Sequence, residues 1–199
     1  HCWGGWEHTI HALEAVPTDV TLRLAMLLHD IGKPACKSTD EQGVDHFYGH
    51  PAVSAQLADQ MLQALKFDNK TRERVVLLVA RHDAQLPPRS QVIRRWLNRL
   101  GPETFFQLLE VKRADNMGQA PEKVQDRLGE LDVIRAKAEQ ILAEQQCLTL
   151  KDLAVDGRDV IAAGIEPGPE IGRILEGLLG RILDGEIQND RSILLEMIN

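Results

Sequence analysis

An all-α fold is the expectation, and three features of the sequence carry it. Leu, Ala, Glu, Gln and Arg dominate, and these side chains suit a helix. Apolar positions recur at helical spacing along most segments, while alternating apolar–polar runs are scarce. The breaks between segments carry Pro, Gly and Asp, the residues that cap or stop helices. A length of 199 residues allows one sizeable core, or a main domain with a small appendage.

The elements follow in order. Trp3 to Val16 predicts a first helix, with His8 and His11 on one face. Pro17, Thr18 and Asp19 break it, and Asp19 is placed to cap the next. That second helix carries Leu24-Ala25-Met26-Leu27-Leu28 straight into His29-Asp30 and stops at Gly32-Lys33-Pro34, so it is mostly buried. Pro34 to Phe47 has no sustained period and reads as a loop over the helix end. Gly49-His50-Pro51 opens a third helix running to about Leu65, and Arg72 to Asp83 forms a fourth, stopped by Pro87-Pro88. A short helix at Val92 to Leu100, one from Pro102 to Ala114-Asp115, and a long one filling most of Glu122 to Glu144 complete the main body. Near Cys147 glycine and proline become frequent, which places a boundary there: 1–146 as the main domain, 147–199 as a small helical tail.

Net charge is −7 with a pI near 5.5, so any RNA partner must be met by a local patch or by a part of the protein outside this chain. The longest strictly apolar run, Val75 to Ala80, is far too short to cross a bilayer, and no membrane partner is expected. Cys2, Cys36 and Cys147 are odd in number and far apart, which fits a reducing cytoplasm. The absence of an initial methionine reads as a fragment of something longer.

A single buried His-Asp pair such as His29-Asp30 is ordinarily a structural hydrogen bond. Here His8, His50, His82 and Asp115 each stand near the end of a mainly apolar helix as well. Packed as a bundle, these six converge on a shared interior, and a divalent ion satisfies imidazole and carboxylate together.

This order of residues resembles the HD superfamily of metal-dependent phosphohydrolases over about residues 3 to 120. The resemblance implies one metal on His8, His29, Asp30 and Asp115, and a second on Asp30, His50 and His82 with Asp30 bridging. It implies one or two divalent transition-metal ions (Fe, Mn, Co, Ni or Zn), with Asp30 and Lys33 as catalytic residues and a nucleotide or RNA phosphoester as substrate. Two such ions can hold a hydroxide at neutral pH. Lys33 is either a phosphate contact or an exposed lysine at a helix end. His46 in the loop is a candidate substrate contact, His11 a surface or supporting group, and Asp83 a candidate to orient the His82 ring. His1 is expected to be disordered.

In the tail, Asp156-Gly157-Arg158-Asp159 and Gly164-Ile165-Glu166-Pro167-Gly168-Pro169-Glu170-Ile171-Gly172 describe a helix, a tight turn and a helix begun at Pro169. Free N–H groups at that start can meet an anion, with Gly168 and Gly172 beside it; an ordinary capped hairpin is the alternative. The stretch is similar to the C-terminal region of bacterial CCA-adding enzymes, the tRNA nucleotidyltransferase and poly(A) polymerase family, whose helical body and tail hold tRNA. That family adds nucleotides in an N-terminal head, and no such head is in this sequence. Arg81, Arg89, Arg94, Arg95 and Arg99, with Trp96, form the one concentrated basic stretch, either an RNA contact through Arg94 and Arg95 or a solvated surface.

Two expectations from different classes result. One is an HD-type phosphohydrolase acting on nucleotides or RNA ends within a nucleotidyltransferase-related protein. The other is a non-catalytic tRNA-binding body and tail with a residual or structural metal site.

Overall fold

The computed structural model describes residues 5–118, 124–144 and 146–198. Among these residues the chain is all-α, with ten α-helices and one minimal hairpin. Helix α1 spans Gly5–Ala15; the expected start at Trp3 lies outside the described residues. Helix α2, Val20–Leu28, begins where the Asp19 carboxylate accepts the Leu22 N–H at 2.9 Å. It buries Leu22, Ala25, Met26 and Leu28, and a 3-10 turn at Lys33–Cys36 follows it.

The expected loop from Pro34 to Phe47 contains more order than its sequence shows. Strands β1 (Ser38–Thr39) and β2 (Asp45–His46) pair antiparallel, Ser38 opposite His46. The Asp40 carboxylate accepts the N–H groups of Gln42 and Val44, both at 2.9 Å, and so closes the turn. Two-residue strands carry no readable alternation, which is why the pairing escapes sequence analysis.

Helix α3, His50–Ala64, starts at Gly49, whose φ of 77° favours glycine, with Pro51 in its first turn. Helix α4, Asn69–Arg81, begins earlier than Arg72 because Asp68 caps it, accepting the Thr71 N–H at 3.0 Å. Helices α5 (Ser90–Leu100) and α6 (Pro102–Met117) are separated by Gly101 at φ 74°. Then come α7 (Val124–Ala143), α8 (Gly157–Ala162), α9 (Pro169–Asp184) and α10 (Arg191–Ile198). No helix among the described residues is long and apolar enough to cross a membrane.

By packing, the chain forms two compact units, each discontinuous in sequence. The first comprises residues 1–85 and 102–132. In it α2 packs against α4, α1 and α6, α1 against α6, and α3 against α4. Met26, Leu62, Val75, Leu78, Phe105 and Leu108 are sealed in its core. The second comprises residues 86–101 and 133–199, with α5 and α8 packed on α9. Ile93, Leu97, Leu178, Leu179, Ile182 and Leu194 are buried there.

Polar ties complete the second unit. Arg94 donates from Nε to the Leu183 carbonyl at 2.8 Å, and Arg95 grips the Asp184 carboxylate with two nitrogens. The Asn98 amide donates to the Leu148 carbonyl at 2.6 Å. Asn189 accepts the Ala154 N–H and donates to the Asp152 carbonyl, while Arg191 pairs with Asp159. The distinctive Asp156–Asp159 stretch is a capping box for α8.

Phe105 is fully buried at the centre of the first unit. Replacing it with Ala is expected to lower unfolding free energy by about 3–5 kcal/mol, read as a shift of the urea midpoint.

Candidate metal centre

The first unit brings all six sequence-predicted ligand residues to one place. Helix geometry does most of this work. His29 and His82 are the C-cap residues of α2 and α4, and His50 is the first residue of α3. Each turns its ring back on the chain. Nδ1 of His29 donates to the Met26 carbonyl at 2.6 Å, Nδ1 of His82 to Val79 at 2.7 Å, and Nδ1 of His50 to Phe47 at 2.9 Å. His8, inside α1, donates from Nδ1 to the Gly118 carbonyl at 2.8 Å. With Nδ1 committed to a carbonyl, all four Nε2 atoms face the interior, and each offers a lone pair when its imidazole is neutral.

Those lone pairs meet each other and the carboxylates. His8 Nε2 lies 3.3 Å from His29 Nε2 and 3.0 Å from Asp115 Oδ1. Asp30 Oδ2 is 3.3 Å from His29 Nε2 and 3.7 Å from His8 Nε2. On the other side, His50 Nε2 stands 3.2 Å from His82 Nε2, and Asp30 Oδ1 is 3.3 Å and 3.8 Å from the two. Asp30 therefore turns one oxygen to each pair of imidazoles. Its Oδ1 is buried and accepts no hydrogen bond.

Neutral imidazole lone pairs facing each other beside carboxylates repel unless a positive charge lies among them. The spacing tests whether a metal fits. Ligands about 2.1 Å from one ion sit roughly 3.0–3.4 Å apart, the edge of an octahedron or tetrahedron. Most of the separations above fall in or near that range, and the two groups His8–His29–Asp30 and Asp30–His50–His82 each have ligand atoms within 4.8 Å of one another. The residues fit.

Protonation in the absence of an ion follows from the same contacts. Burial alone would lower His29, but its bonds to Asp115 and Asp30 push it up to about 9. His8 is raised as well, chiefly by Asp115. Burial works to raise Asp30 and Asp115, yet the imidazoles, and for Asp30 also Lys33, hold both well below the usual carboxylate range. Burial pushes His82 down to about 4. A proton thus stands in for a cation on the His8–His29 side.

Lys33 enters from the 3-10 turn and donates its ammonium to Asp30 Oδ2, near the Phe47 ring. The cluster floors a cavity of about 440 Å³ whose lining includes Lys33, His46, Tyr48, Asp83 and Arg127. His46 stacks on Tyr48 and bonds Asp40. Asp83 does not orient His82, because Val79 already takes that Nδ1. His11 is half-exposed beside Glu14, and His1 lies outside the described residues. Arg94, Arg95, Gly168 and Gly172 belong to the second unit. There Gly168 leaves the start of α9 without a side-chain cap, and the space beside Gly172 is open.

Three supporting residues were missed by sequence reasoning. Lys112 donates to the carbonyls of His82 and Ala84, both at 2.8 Å, and so closes the end of α4. Ser54 accepts the Gly32 N–H at 2.9 Å. Gly118 holds His8 through its carbonyl and lies so near that a Cβ there would stand 2.8 Å from His8 Nδ1. A Cβ on Gly32 would stand 2.6 Å from the Ser54 nitrogen. The only signal in the sequence was glycine close after a ligand residue. Gly32→Ala and Gly118→Ala are each expected to cost roughly 1–3 kcal/mol in denaturant unfolding, whereas Gly172→Ala, which has open space, costs nothing.

Comparison with known proteins places this architecture. The family model for tRNA nucleotidyltransferase domain 2 matches residues 47–198. The chain is 32% identical over 190 residues to the A-adding tRNA nucleotidyltransferase of Deinococcus radiodurans, covering 92% of the chain and 43% of that protein. It is 33% identical over 194 residues to the CC-adding tRNA nucleotidyltransferase of Thermus thermophilus, covering 94% of the chain and 43% of the relative. A 49-residue segment, 24% of the chain and 12% of the relative, is 47% identical to the CCA-adding enzyme of Limosilactobacillus reuteri. No solved structure is significantly similar. The chain thus spans less than half the length of the first two relatives.

These matches overturn the expectation of an HD-type phosphohydrolase. The proteins that resemble the chain along nearly its whole length are nucleotidyltransferases, and a ligand-like cluster does not by itself define a hydrolase. With a family model matching most of its residues, this chain belongs to the tRNA nucleotidyltransferase family, of which it carries the helical second domain.

Proposed function

We propose that this chain is the tRNA-binding helical body and tail of a nucleotide-adding enzyme, and that its His/Asp cluster is a structural divalent-metal site. The observation that carries the reading is the match to A-adding and CC-adding tRNA nucleotidyltransferases along 92% and 94% of the chain. Nucleotide addition itself is assigned to a head N-terminal to this region in the longer protein. Residues 1–146 serve as the metal-bearing body and 147–199 as the tail. A tRNA partner is consistent with a cytoplasmic setting.

The RNA contact is assigned to local positive features of the second unit, since the net charge of −7 excludes whole-surface attraction. Arg95 is exposed on α5, fixed in orientation by Asp184, and Arg94 is half-buried beside it. Gly168 and Gly172 leave the backbone at the start of α9 accessible to a phosphate. Gly172→Glu introduces a carboxylate where nothing else is displaced. It is expected to weaken tRNA binding about tenfold and to reduce the slope of log affinity against log salt by about one. The double variant Arg95→Ala/Asp184→Ala, which leaves no unpaired partner, should act in the same direction. Unchanged affinity and slope in both would remove this surface from the reading.

For the metal site, His8, His29, Asp30 and Asp115 supply one set of ligands and Asp30, His50 and His82 the other. Mixed imidazole and carboxylate donors suit Fe, Mn, Co, Ni or Zn. A bound ion supplies the positive charge that the facing lone pairs lack. The residues in turn tie α1, α2, α3, α4 and α6 at a single point. Stabilisation through binding amounts to about 4 kcal/mol at a thousandfold excess over Kd.

The raised His29 pKa sets a pH dependence. Without metal, its ion pairs stabilise the fold fully below about pH 6.5, and that contribution is lost as pH rises through about 9. Metal must displace the same proton. Apparent affinity should therefore climb with pH, by up to about tenfold per unit, and level off near pH 9. Calorimetry of manganese uptake in buffers of different ionisation enthalpy should show release of about one proton at pH 7.5.

A further inference from the structure

We propose that Lys33 is a built-in cation that holds the metal site closed to metal, and that a metal ion enters by displacing the Lys33 ammonium from Asp30 into the cavity above. The inference rests on the metal reading of the cluster and adds to it a named competitor.

The geometry points to one contested atom. Asp30 Oδ2 faces His29 Nε2 at 3.3 Å and His8 Nε2 at 3.7 Å, so it is a ligand atom of the first metal set. The Lys33 ammonium donates to that same oxygen, and this is the shortest contact the oxygen makes. The other oxygen of Asp30, facing His50 and His82, has no donor at all. The two halves of the cluster therefore differ. One is met by a lysine of this chain, and the other faces imidazoles alone.

An ammonium and a divalent ion on one carboxylate oxygen would lie within about 4 Å of each other, where like charges in a partly buried site repel strongly. Lys33 can leave without unfolding anything. It stands on a short 3-10 turn, its side chain is 23% exposed, and its four-carbon stem gives the ammonium wide reach. The space it would enter is the cavity it already lines, together with Tyr48, Asp83 and Arg127. Metal occupancy is thereby reported outward as an ammonium released into the cavity mouth.

The test compares wild type with Lys33→Met and Lys33→Arg. Manganese affinity is measured by calorimetry, and Lys33 acetylation by mass spectrometry with and without manganese. Lys33→Met should bind manganese at least roughly tenfold more tightly than wild type. Lys33→Arg should bind as weakly as wild type, because its charge remains. In wild type, Lys33 should be acetylated several times faster once manganese is bound. The opposite order, Lys33→Met binding more weakly, would make Lys33 a group that orients Asp30 for metal and would overturn the proposal. Equal affinities with equal acetylation would also overturn it while leaving the metal site intact. No uptake by any of the three would overturn the metal reading itself and the proposal with it.

Discussion

Four imidazole lone pairs and two carboxylates aimed into one buried volume need a positive charge, and much of the first unit is arranged around that need. His8 and His29 bring their Nε2 atoms within 3.3 Å of each other, and His50 and His82 bring theirs to 3.2 Å. No neutral arrangement of these groups is comfortable. The protein meets the demand in part with Lys33 and with a proton raised onto His29. The fully turned-in ring orientation, with each Nδ1 committed to a backbone carbonyl, is what a metal site requires and what a set of ordinary core histidines does not.

The surrounding backbone is shaped to the same end. Short helices stop at their ligand residues, so α2 ends at Leu28 and α4 at Arg81, and the caps themselves become the site. Gly32 and Gly118 allow the chain to pass where a Cβ would strike Ser54 or His8. Lys112 holds the end of α4 by its carbonyls rather than by charge on the cluster. A structural role for the site accounts for this well: it gathers five helices at one point.

Much of this was legible in the sequence because ligand residues at helix ends leave a mark. His29-Asp30 follows an apolar run, and His82 follows another, so the all-α class and the gathering of the six residues could be read from spacing. The support could not. Lys112 looks like any helical lysine, and nothing local shows that its ammonium reaches carbonyls some thirty positions earlier. The hairpin at Ser38–His46 is too short for a period. That α5 groups with α9 rests on Arg94, Arg95 and Asn98 reaching residues far along the chain, which no local pattern reveals. Function was misread for a different reason. A ligand pattern shared with hydrolases says what a site can hold, and the resemblance of the tail to CCA-adding enzymes was the better guide to what the chain belongs to.

One measurement bears most directly on the claim that the cluster is a metal site. Crystals of the protein grown with manganese, with data collected on either side of the manganese edge, would show anomalous density directly. The account predicts a peak between Asp30 and the Nε2 atoms of His50 and His82, and a second among His8, His29, Asp30 and Asp115 once Lys33 has moved away. Density without an anomalous peak at either position, with the Lys33–Asp30 pair intact and the imidazoles unmoved, would contradict it.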